Sequence, residues 1–110
     1  MNKTKIAPVV ETEVRSLRAA KAHHKRWLNN ARRRMDQASA AIDTFTALVV
    51  KGDSSDMTWV SLAEARAAHL DANRSLLRVQ QDIIKIDSQI AELVEYGVQY
   101  EQRRAAEGGN

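Results

Sequence analysis

The residues of this 110-residue chain with the means to do chemistry are three histidines, fourteen carboxylates and a run of arginines around a tryptophan. His23 and His24 are adjacent, so on a helix they point about 100° apart and cannot converge on one ion. His69 falls at a different level. His-Glu-x-x-His spacing is absent, and with no cysteine a thiolate site is ruled out. Neither a metal nor a cofactor is expected. A glycine-rich phosphate loop and a nucleophile elbow are missing too. Acid–base chemistry needs carboxylates in a desolvated cleft, whereas most of these fall on outward positions of the helical repeats described below. The expectation is a protein that is not an enzyme and has no small-molecule substrate.

The cations are more concentrated. Arg15 to Arg34 holds eight Lys/Arg, two histidines and no acid, with Trp27 inside the run. Such a face suits phosphates, with an indole for stacking. A second half rich in acids competes for the same charge. Residues 1–51 carry 11 Lys/Arg and 4 Asp/Glu, and residues 52–110 carry 6 and 10, so the halves attract one another. Acids placed opposite Lys21–Arg26 should neutralise that end. In the middle, Arg32, Arg33, Arg34, Arg74 and Arg78 fall at one height and form the candidate polyanion-binding belt.

These side chains are positioned by two heptad patterns. Val10, Val14, Leu17, Lys21, His24, Leu28, Ala31, Met35, Ala38, Ile42, Phe45 and Val49 alternate by three and four, placing them on one stripe of a helix. Leu62, Ala65, His69, Ala72, Leu76, Val79, Ile83, Ile86, Ile90, Leu93, Gly97 and Tyr100 repeat the pattern. Lys21 and His24 interrupt the first seam as register devices; a change of charge on His24 near neutral pH would loosen that end. Gly97 would let another backbone approach closely. The fold class is therefore all-α, a long antiparallel two-helix hairpin resembling a coiled coil. Residues 1–8 are read as a flexible N-terminus and 9–107 as one domain, with a helix over 9–51, a turn over 52–58 and a helix over 59–105. Residues 106–110 form a frayed tail.

Gly52 suits a left-handed helix end. Ser61 and Glu64 have capping-box spacing, with Asp56 and Thr58 as competing caps. A connection this short makes the helices antiparallel neighbours. Pairing Val49 with Leu62 makes opposed residue numbers add to about 111, which places Lys25 by Asp87, Arg34 by Asp82 and Glu13 by Arg103. Glu11 and Arg15 form a pair within the first helix.

Beside the second seam runs a further apolar stripe, Ala63, Leu70, Leu77, Ile84, Ala91 and Val98, too much for one partner helix to cover. Leu70, Leu77, Ile84, Ala91 and Val98 are accordingly the expected self-association face, joining two copies into a four-helix bundle. Trp27 and Trp59 are candidate anchors for a partner.

No apolar run approaches the ~20 residues of a membrane span, and Met1–Pro8 lacks the apolar core of a signal peptide. Cytoplasmic residence and no membrane partner are expected. The two-helix plan with a tryptophan near the turn is similar to small secreted helical hairpins carrying a Trp-x-Gly turn. Here Trp59-Val60-Ser61 lacks the glycine, and neither Tyr96 nor Tyr100 has the acid four places on, so the resemblance stops at architecture. The function expected is a non-catalytic helical protein–protein interaction module of adaptor, regulator or inhibitor type, homodimeric. The alternatives are a nucleic-acid-binding helical dimer using the arginine belt, and a structural assembly component.

Overall fold

A proline and a glycine mark where the helices begin and end. Pro8 keeps Ala7 extended (φ −61°, ψ 137°), and Pro8–Val10 form a 3-10 turn closed by the Val10 amide donating to the Ala7 carbonyl at 3.1 Å. α1 follows as Glu11–Val50, with Glu11 and Glu13 in its first turn where the helix dipole favours acids. Gly52, at φ 101°, ends it. The Gly52 amide bonds the Val49 carbonyl at 3.0 Å and the Asp53 amide bonds that of Leu48 at 2.9 Å, the paired closure of a Schellman cap. α2 is Asp56–Gly108. This structure, a computed structural model, describes residues 6–53 and 55–108, and they form no strand.

The start of α2 corrects the expectation. Ser55, rather than Ser61, Asp56 or Thr58, is its cap: the Thr58 amide donates to Ser55 Oγ at 3.3 Å and the Ser55 carbonyl takes the Trp59 amide at 3.2 Å. Asp53 supports it from behind, accepting the Ser55 amide at 3.1 Å on Oδ1 and the Thr58 hydroxyl at 2.9 Å on Oδ2. Those bonds hold the Asp53 carboxyl below its ordinary range, the Ser55 amide most of all, with the Ser55 and Thr58 hydroxyls adding. α2 thus starts three residues before the expected 59 and runs past 105. The expected flexibility of residues 1–5 and fraying of 109–110 lie outside the described residues.

The chain packs as two units, each a stretch of α1 against a stretch of α2. One joins the chain up to His24 with the chain from Asp82. Its buried residues include Val10, Val14, Ile86 and Gly97. Gly97 is where α2 receives the 3-10 turn: a Cβ there would lie 2.9 Å from Ala7 Cβ and 3.0 Å from Val10 Cγ2. The segment 6–8, expected to be flexible, is therefore seated at Ala7. The other unit runs from Lys25 to Gln81 and contains the turn. Alanines centre its seam, with Ala31, Ala38, Ala65 and Ala72 buried beside Leu62. Around them Leu28, Met35, Leu76 and Val79 are only half-buried.

Every seam position read from the sequence is buried or half-buried, Lys21 and His24 included. The register is not the expected one. Lys21 Nζ meets Asp87 Oδ1 at 2.7 Å and His24 Nε2 lies 3.7 Å from Asp82 Oδ2; in the second unit Arg34 lies 3.8 Å from Asp71. Opposed numbers add to 105–108 in these pairs rather than 111, because Ser55 starts α2 early and shortens the turn. Lys21 replaces Lys25 as the partner of Asp87, Asp71 replaces Asp82 as that of Arg34, and Glu13 faces Gln89 and Glu92 instead of Arg103. Glu11 and Arg15 pair as expected, at 3.0 Å.

Candidate interaction surfaces

The stripe beside the seam stays in water. On α2, Leu70, Leu77 and Ile84 are 50%, 51% and 67% exposed, and Ala63, Ala91 and Val98 are exposed as well. α1 leaves them uncovered because they stand one step round the helix from the seam residues His69, Leu76 and Ile83, toward solvent. Isolated exposed leucines are ordinary on a protein surface; a heptad row of them on one helix is an unsatisfied packing face.

The arginines divide. Lys25–Gln81 brings the α1 stretch 25–36 against the α2 stretch 70–81, and these hold seven Lys/Arg against Asp36 and Asp71. Of the five belt residues, Arg34 and Arg78 come together, in a groove of about 260 Å³ with Trp27, Asn30, Ser75 and Val79. Trp27, Asn30 and Arg34 reach it from one side of α1 by their three- and seven-residue spacing. Arg32, Arg33 and Arg74 are exposed but do not line it. Arg34 also borders a second groove of about 330 Å³ walled by Ala38, Ala41, Ala65 and Ala68, and its ion pair with Asp71 is loose, with both partners largely in water. The sequence reading missed Asn30 and Ser75, which are legible only once the register is known.

The cations of the other unit are more fully matched. Arg15 has Glu11 and Lys21 has Asp87. His24 Nδ1 lies 2.8 Å from the Ala20 carbonyl, which can only accept, so Nδ1 carries hydrogen and Nε2 faces Asp82. Protonation would therefore add an attraction across the seam, the reverse of the loosening expected from sequence. The largest groove here, about 610 Å³, is lined by Glu13 and Glu92 with Thr12, Ser16, Leu17, Gln89 and Leu93. Both glutamates are exposed.

At the turn, Val50 and Met57 are 80% exposed, Val60 55% and Trp59 49%. Trp59 thus presents much of its ring instead of sealing the hairpin end, alongside three other apolar side chains. Tyr96 and Tyr100 stack with centroids 6.3 Å apart. Among the described residues no cluster of His, Cys, Asp and Glu could hold a metal ion, and no helix is long and apolar enough to cross a membrane. Comparison with protein-family models, curated proteins and solved structures yields no match.

Proposed function

We propose that the chain is a non-catalytic helical interaction module that works as a homodimer, α2 of one copy packing on α2 of another in a four-helix bundle. The observation that carries this reading is the exposure of Leu70, Leu77 and Ile84 at seven-residue intervals on one helix. Full burial of such a side chain contributes roughly 1.5–3 kcal/mol. The exposed halves of three residues in two copies therefore leave roughly 5–10 kcal/mol unrealised. Association costs about 4–15 kcal/mol, so the pairing is of modest affinity and relies on the flanking Ala63, Ala91 and Val98. The thin core supports the same reading: Val14 is the only large side chain fully buried among the described residues. The apolar tip around Trp59 would be left to anchor a partner protein, as an adaptor, regulator or inhibitor requires.

Sedimentation equilibrium tests this. The parent chain should dimerise in the micromolar range, and Leu77→Asp with Ile84→Asp should give folded monomers. A parent that stays monomeric at high concentration, or a double variant that sediments like the parent, ends the proposal.

A further inference from the structure

We propose that the groove formed by Trp27, Asn30, Arg34, Ser75, Arg78 and Val79 binds single-stranded nucleic acid, one base lying against the indole and the adjoining phosphates meeting the two guanidiniums. Three observations carry it. The groove sits in the most cationic band of the chain, seven Lys/Arg against two Asp on the facing stretches 25–36 and 70–81. Counterion release from phosphates is strongest at such a band. An aromatic ring 54% exposed shares the groove with two arginines, the combination that binds an unpaired strand by stacking and charge together. The volume, about 260 Å³, lies below the roughly 300–1,000 Å³ of whole-ligand pockets, so it suits one nucleotide of a longer strand that passes over it.

The remaining residues fit the same occupant. Asn30 and Ser75 offer donors and acceptors for a base edge or a sugar hydroxyl, and Val79 gives an apolar wall. Arg34 is available at small cost, because its pairing with Asp71 at 3.8 Å is solvent-exposed and worth little. A duplex is disfavoured as occupant, since its bases already stack on one another and offer the indole no face. An acidic peptide or an anionic lipid surface would use the arginines and leave the indole without a role. The site does not rest on the dimer, because every lining residue belongs to one copy.

The test is fluorescence anisotropy with a short labelled oligothymidylate at low salt, about 50 mM, where phosphate contacts are strongest. Trp27→Ala should weaken binding about tenfold or more and Trp27→Phe by less than about threefold. Arg34→Gln and Arg78→Gln should each lower the slope of log affinity against log salt by about 0.7. In a Trp59→Phe background, where Trp27 is the one remaining tryptophan, binding should quench emission. Circular dichroism checks that each variant folds; if Trp27→Ala does not, Trp27→Phe and the arginine variants decide. Absence of binding overturns the proposal, as does affinity indifferent to Trp27→Ala. A matched duplex, heparin or anionic vesicles binding as tightly as the single strand overturns it equally.

Discussion

Adding one methyl group to Gly97 sets two known effects against each other. In a helix interior alanine is better than glycine by about 1 kcal/mol, so Gly97→Ala in open space would raise the melting temperature by about 4–8 °C for a chain of this size. Here the new Cβ would lie 2.9 Å from Ala7 Cβ and 3.0 Å from Val10 Cγ2, against a comfortable carbon separation of about 3.5–4.0 Å. Ala7 Cβ is fixed to its backbone, so the whole segment must move by about half an ångström or more. Overpacking of this kind costs about 1–3 kcal/mol. The alternative is release of the segment, which exposes Val10, now 3% exposed, at roughly 1.5–3 kcal/mol. Either route cancels or exceeds the gain in helix propensity. Gly97→Ala should therefore melt at or below the parent temperature, and the Val10 amide, bonded to Ala7 at 3.1 Å, should exchange its hydrogen faster. Adding Ala7→Gly should restore part of the loss. A rise of several degrees with Val10 exchange unchanged would refute the seating of this segment on α2.

The two helix ends at the turn give further tests. Gly52→Ala meets no atom within 4 Å but inherits φ 101°, so urea unfolding should show a loss of about 1–2 kcal/mol from backbone strain alone. Ser55→Ala should cost about 1 kcal/mol, whereas Ser61→Ala should stay within about 0.5 kcal/mol; the reverse order would restore the cap expected from sequence. The Asp53 carboxyl, lowered on folding by the Ser55 amide and then by the Ser55 and Thr58 hydroxyls, stabilises above its unfolded pKa of about 3.9. That stabilisation is lost as pH falls through the lower folded value. Asp53→Asn should thus melt below the parent at neutral pH and converge with it in acid, and a difference that persists at low pH would count against the carboxylate.

The seams were legible because a seven-residue repeat names the inward face wherever the partner lies. The register was not, for the same reason: sliding α2 by one turn leaves the three-four alternation almost intact, so Val10 to Val49 and Leu62 to Tyr100 fit several alignments. Cap chemistry chose among them, and Ser55 with Thr58 and Asp53 competes with Ser61 and Glu64 at energies of about 1 kcal/mol each. That choice moved Asp87 from Lys25 to Lys21 and Asp71 to Arg34. The arginine belt was legible as a height along the helices but not as a face, since consecutive Arg32, Arg33 and Arg34 fan around α1 and only Arg34 turns to the groove with Arg78. Gly97 was read as a place of close approach. Its visitor, the Ala7–Val10 segment, was hidden because Pro8 suggested an end to structure rather than a 3-10 turn.

The hydrogen bonds of the turn reach from the Leu48 carbonyl to the Trp59 amide, and little slack remains between the two caps. Inserting a single residue after Gly52 would therefore be absorbed by α2 spinning about 100° on its axis. Leu70, Leu77 and Ile84 would swing away from their present bearing while the alanines rolled outward. Loop length is the phase setting of this hairpin, and sequence drift can alter the chemistry of the bend far more freely than its count.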